Sequence, residues 1–219
     1  MPQKRPVTKL PRSRRVMLEL DSPNWAKYTA AYGDASNVPL LFANLRAASP
    51  DKWDDAKSEL SSAIMHQGDV YTATYAIAPH LLEYAAELGP GKQSDELLFT
   101  IAYASRGGPG PDVPEALEEA WEDAQDEARD LILERLLRSE TSEEWTGCLI
   151  AGLLYLSGEW SVGSVVNDWC WGFSMVARCP TCGRLKGDAA LFRKELRPLS
   201  RTRVEDSRAV ITRGQASPR

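Results

Sequence analysis

The chain has 219 residues, 43% of them apolar and 26% charged, enough to bury the core of one large domain. Its longest apolar run is far short of the roughly 20 residues a membrane-spanning helix needs, and its N-terminus lacks the apolar stretch of a secretory signal, so a soluble, cytoplasmic protein is expected. The net charge of −5 is unevenly spread: residues 1–17 carry six Lys/Arg and no acid, residues 184–219 carry ten Lys/Arg and four acids, and removing these two +6 segments leaves −17 on residues 18–183.

So acidic a body argues against nucleic-acid binding by the body itself. Residues 1–17, with three prolines among their charges, read as a disordered basic arm. In "DSPNWAKYTAAYGDASNVPLLFANLRAA" a helix is expected to open at Asp21 or Ser22 and break at Gly33-Asp34. It should restart with Asn37 as N-cap and Pro39 in the first turn, where the missing N–H of proline costs nothing. "SPDKWDDAKSELSSAIMHQG" repeats that grammar, with Ser49 as cap, Pro50 at the first position and Gly68 as the stop. Its apolar residues Trp53, Ala56, Leu60, Ala63 and Ile64 follow the helical period.

"DVYTATYAIAPHLLEYAAELGPG" is expected to start at the cap Asp69 and to stop at Gly89-Pro90-Gly91. Pro79 lies inside its apolar pattern, which predicts a kink or a break into two short helices. "SDELLFTIAYAS" gives a further helix. The loop "RGGPGPD" then lacks both the lysine and the preceding strand of a phosphate-binding loop. "VPEALEEAWEDAQDEARDLILERLLRS" sets Val113, Leu117, Ala120, Trp121, Ala124, Ala128, Leu131, Ile132 and Leu136 on one side of a long helix whose other side is almost wholly acidic. "SEEWTGCLIAGLLYLSG" reads as a mostly apolar, buried helix with Cys148 in the core. In "WCWGFSMVARC" the residues alternate as in a strand running into Cys179-Pro180-Thr181-Cys182-Gly183, with a return through Arg184-Leu185. Trp160, Trp169 and Trp171 are expected to cover the end of the helices.

The fold class is therefore mainly α, with a small C-terminal β/knuckle element. The helices form either a short α-solenoid of the HEAT or armadillo kind or an irregular bundle. Val38-Pro39, Ala78-Pro79 and Val113-Pro114 recur at spacings of 40 and 35 residues, which fits a two-helix repeat. The expected organisation is a basic arm at 1–17, a helical-repeat domain at 18–163, a strand-and-knuckle cap at 164–187 and a basic, largely disordered tail at 188–219.

Three stretches also carry a resemblance. Tyr32-Gly33-x-Ala35-x-x-Val38-Pro39, then His66-Gln67-Gly68-x-Val70-Tyr71 and Ala76-x-Ala78-Pro79 before an apolar helix, resemble bacterial HEAT-repeat-like proteins of unknown function. Many of those proteins carry a late Cys-Pro-x-Cys-Gly turn, which Cys179 to Gly183 match. The resemblance covers roughly residues 28–90 plus that turn. It implies a helical-repeat fold that binds protein, and it brings no catalytic residues.

The chain has two histidines, His66 and His80, and their spacing is not that of a metal site. His66 is expected at a helix C-terminus, bonding the last carbonyls. His80 is expected to bond a carbonyl freed by Pro79. Cys179 and Cys182 have the spacing of a zinc-ribbon knuckle, with Cys170 as a candidate third ligand. The alternatives are a ribbon without metal and a redox pair, so the cofactor is either none or zinc. Glu118, Glu119, Glu122, Asp123 and Asp126 form a candidate face for a basic protein partner, against the plain reading of a solvated helix surface. The expected function is a non-enzymatic protein-binding protein, for instance an immunity-type partner of a basic toxin. The alternative is a metal-binding enzyme or regulator built around the cysteine turn, His66 and His80.

Overall fold

The computed structural model describes residues 17–106, 111–171, 177–178 and 185–186. The basic arm, Cys179, Cys182 and the C-terminal tail fall outside these residues. Contacts divide the chain into two compact units, Met1–Asn167 and Asp168–Arg219.

Ser22 caps a single turn of 3-10 helix, Pro23–Lys27, where its Oγ accepts the Asn24 N–H at 3.2 Å. The helix expected to run on from there is instead a small antiparallel ladder of β1 (Thr29–Ala30) and β2 (Gly33–Asp34). Distant partners take the donors a helix would have used. The Thr29 N–H goes to Thr72 Oγ1 at 2.7 Å, and the Ala31 N–H goes to the Ala63 carbonyl at 2.8 Å. Gly33 at φ 138° closes the turn in a region other residues avoid.

α1 (Val38–Ala47) opens as expected, with Pro39 in its first turn. α2 (Trp53–Ile64) begins later than expected, because Ser49 closes a preceding turn by donating to the Asp51 carboxylate at 2.6 Å. The stop is different too. β3 (Met65–His66) and β4 (Asp69–Val70) pair antiparallel across Gln67 at φ 50° and Gly68 at φ 92°. Two positive φ values in a two-residue loop make a type I′ hairpin. Gly68 therefore turns a hairpin rather than capping α2, and Asp69 faces His66 in that ladder rather than capping a helix.

α3 (Thr72–Leu88) starts where Thr74 Oγ1 accepts the Tyr71 N–H at 3.3 Å and donates to the Ile64 carbonyl. It runs unbroken through Pro79, contrary to the expected break. An internal proline costs about 3 kcal/mol, but every residue from Ala73 to Leu82 is buried, so packing around the whole circumference outweighs that cost.

α4 (Lys92–Ala104), α5 (Glu115–Arg138) and α6 (Glu143–Leu156) follow. α7 (Trp160–Cys170) was not expected. It takes in Trp169 and Cys170, which the alternation pattern placed at the start of a strand, and so makes residues 164–170 helical. Trp160 and Trp171 are each about half exposed. In the second unit β5 (Ala177–Arg178) pairs antiparallel with β6 (Leu185–Lys186).

α1 packs on α2, α3 on α4 and α5 on α6. α3 also lies against α1 and α5, and α4 lies against α6. The ion pairs Lys57–Glu96 and Lys92–Asp54 join α2 to α4. α1, α3 and α5 thus neighbour one another in one row, and α2, α4 and α6 in a second. The three prolines do not mark equivalent points in this arrangement. Pro39 opens α1, Pro79 is central in α3 and Pro114 stands at the N-cap of α5.

Candidate functional site

α5 is 24 residues long, about 36 Å at the usual rise. Its inner face follows the 3.6-residue period, with Leu117, Ala120, Trp121, Ala124, Ala128 and Ile132 all buried. That burial fixes the rotation of the helix and turns the acids outward. Glu115, Glu118, Glu119, Glu122, Asp126 and Asp130 are exposed, while Asp123 and Glu127 flank them half-buried. Arg129 shields one of the acids, bonding Asp126 Oδ1 at 2.9 Å. Glu119 and Glu122 have no ion-pair partner among the described residues. The first-turn acids Glu115 and Glu118 also sit where the helix dipole favours negative charge. Four of the five acids in the candidate binding set thus share one open face, and Asp123 borders it.

The sequence did not single out Arg135 and Asp95. Arg135 is 2% exposed and occupies the next turn of the buried stripe after Ile132. Its Nη1 donates to Asp95 Oδ1 at 3.0 Å and its Nη2 to the Ala85 carbonyl at 3.3 Å. Asp95, fully buried, accepts from the Ser142 N–H at 2.8 Å and from Ser142 Oγ at 3.1 Å. One buried pair thus ties the ends of α3 and α5 to the starts of α4 and α6. A charged residue at stripe spacing was the only available signal, and it matches that of any residue flanking the stripe.

The histidines are in separate structural settings. His66 lies in β3, half-buried, with Nδ1 3.1 Å from the Tyr32 hydroxyl and the two rings in a T-shaped contact. It directly follows Met65, the C-cap of α2, as the helix-end placement expected, but its ring bonds the Tyr32 hydroxyl rather than the last carbonyls of α2. His80 is buried in α3, its ring beside Phe42, with Nε2 2.9 Å from the Leu18 carbonyl of the entering chain. That carbonyl is not one freed by Pro79. Beside the hairpin of β3 and β4, the Arg106 guanidinium donates to the Gly68 carbonyl and to the Tyr103 hydroxyl, and stacks 4.3 Å over the Tyr103 ring. The end of α4 is thereby fastened to the Gln67-Gly68 turn.

Cys170 ends α7 half-buried, while Cys179 and Cys182 lie outside the described residues. Among the described residues no group of three or more His, Cys, Asp or Glu side chains is placed to hold a metal ion. Among the same residues no helix is long and apolar enough to cross a membrane. The chain matches no known family model, no curated protein and no solved structure.

Proposed function

We propose that the chain is a non-enzymatic protein-binding module, a short HEAT-like α-solenoid that docks a basic protein on the outward face of α5. The observation that carries this reading is the exposed acidic face itself, held open because the opposite face of α5 is locked in the core. The two rows of alternating helices support the repeat architecture. The −17 charge of residues 18–183 supports a basic partner, steered by long-range attraction. A basic toxin held by an immunity-type protein is one pairing with this chemistry.

The test is titration of the full chain with a 16-residue lysine peptide at low salt, against a Glu119→Lys/Glu122→Lys variant. Exposed charge pairs are each worth about 0.2–1 kcal/mol, so reversing two acids is expected to weaken binding about tenfold. Equal affinity of the two proteins would sink the reading.

A second reading concerns Cys179 and Cys182. The pairing of Ala177 with Lys186 and of Arg178 with Leu185 on either side of that turn supports a zinc knuckle, with Cys170 as third ligand. Metal analysis of reductant-purified protein is expected to find one zinc per chain, lost on Cys182→Ser; metal-free protein would refute the site.

A further inference from the structure

The outward line of α5 changes character along its length. Glu115, Glu119, Glu122, Asp126 and Asp130 follow one another at steps of three or four residues, and Leu133 and Leu137 continue the same line at 43% and 78% exposure. The acidic part extends about 22 Å before the leucines begin. An occupant of the whole line must be basic over most of its length and carry apolar side chains as well. A second copy of the chain does not meet this, since it would set acid against acid.

Residues 1–17 do meet it. They contain Lys4, Arg5, Lys9, Arg12, Arg14 and Arg15 with no acid, and Val7, Leu10 and Val16 stand among them. The geometry also brings their point of attachment near. Leu18 is held at its carbonyl by His80, halfway along α3. α3 runs parallel to α5, because the Tyr75 ring meets Trp121 at 5.1 Å and the Ala85 carbonyl meets Arg135 ten residues further on. His80 is therefore level with the middle of α5. Its ring turns toward Phe42 of α1, so the attachment point is about one to two helix widths, or ~10–20 Å, from the acidic line. A 16-residue segment spans ~22 Å as a coil and up to ~55 Å extended, enough to reach either end of α5. Tethering at that length gives an effective concentration on the order of millimolar.

We propose that the basic N-terminal segment docks on the acidic-to-apolar line of α5 and competes there with the external partner. This rests on the docking role of α5 proposed above and adds its regulation: a partner must displace the chain's own segment. Weak basic ligands are thereby excluded, and salt loosens the contact.

The experiment uses the full chain in four forms: native, Arg12→Gln/Arg14→Gln/Arg15→Gln, Glu119→Lys/Glu122→Lys, and the two sets combined. Affinity for the 16-residue lysine peptide and the rate of tryptic cleavage after Lys9 are measured on each. Neutralising the three arginines is expected to tighten peptide binding about tenfold at low salt, and to change nothing in the background of the two lysine substitutions. In that background, cleavage after Lys9 is expected to accelerate several-fold, because the segment is released. An unchanged cleavage rate, or equal tightening in both backgrounds, overturns the competition. If the native chain still binds the peptide through Glu119 and Glu122 in that case, the docking role of α5 stands alone. If no form binds the peptide, the docking role falls with it.

Discussion

In the buried Asp95–Arg135 pair the Asp95 oxygens are shared among Arg135, the Ser142 N–H and Ser142 Oγ, while the buried Arg135 Nε meets no acceptor among the described residues. Burying two charges is costly, and their attraction does little more than offset it. Removing one partner is a different matter, because it strands the other charge in the core. Asp95→Ala or Arg135→Met alone is expected to cost about 3–5 kcal/mol, and Asp95→Leu with Arg135→Met distinctly less than the sum. Urea unfolding of the three variants checks this, and additive losses would contradict it. Little in the sequence distinguished Arg135 from Arg129 or Arg138, which lie on the same helix and make surface pairs at 2.9 and 2.7 Å. Only its place on the stripe beside Ile132 set it apart, and a long arginine at a stripe edge normally extends its head into water.

Elements were legible where one local signal dominated. α1 has its proline in the first turn, α5 has a clear buried stripe and α6 a long apolar run, and each lies where periodicity placed it. The hairpins were not legible, because two-residue strands are too short to show alternation. Gln67 in a left-handed turn is also a rarer choice than asparagine or aspartate. Their register comes from long-range bonds, such as Thr29 to Thr72, that no local window contains. Tyr75 shows a similar fastening between elements. From α3 its hydroxyl donates to the Pro111 carbonyl just before α5, at 3.1 Å. Burial, helped by the nearby Asp112 charge, raises the pKa of this phenol above its usual 10.0. A group that holds its proton more tightly when folded stabilises the fold below its unfolded pKa, and that stability is lost as pH rises through the folded value. Stability should therefore fall as pH climbs past about 10, and Tyr75→Phe should lessen the fall while costing about 0.5–1.5 kcal/mol at neutral pH. Urea midpoints for both proteins at neutral and alkaline pH check the sign; parallel curves would contradict it.

For the whole molecule, composition carried the mainly helical class and the charge asymmetry, but the evenly spaced prolines fall at different points of their helices. α1, α3 and α5 start at Val38, Thr72 and Glu115, so Pro79 lies a full two turns into its helix while Pro39 is in a first turn and Pro114 at an N-cap. The acidic face was legible as composition, yet its openness depended on how the opposite side of α5 is gripped. Helices that touch only their neighbours can fray one at a time from an end. The Asp95 network works against that here. Its partners are separated by 40 to 50 positions in the chain, and they come from four successive helices. Loosening α5 and α6 would part Asp95 from its cation and from its Ser142 donors, so opening at that end costs more than the lost apolar contacts alone. The exposed face of α5 is thus steadied by a buried bond on the opposite side of the same helix.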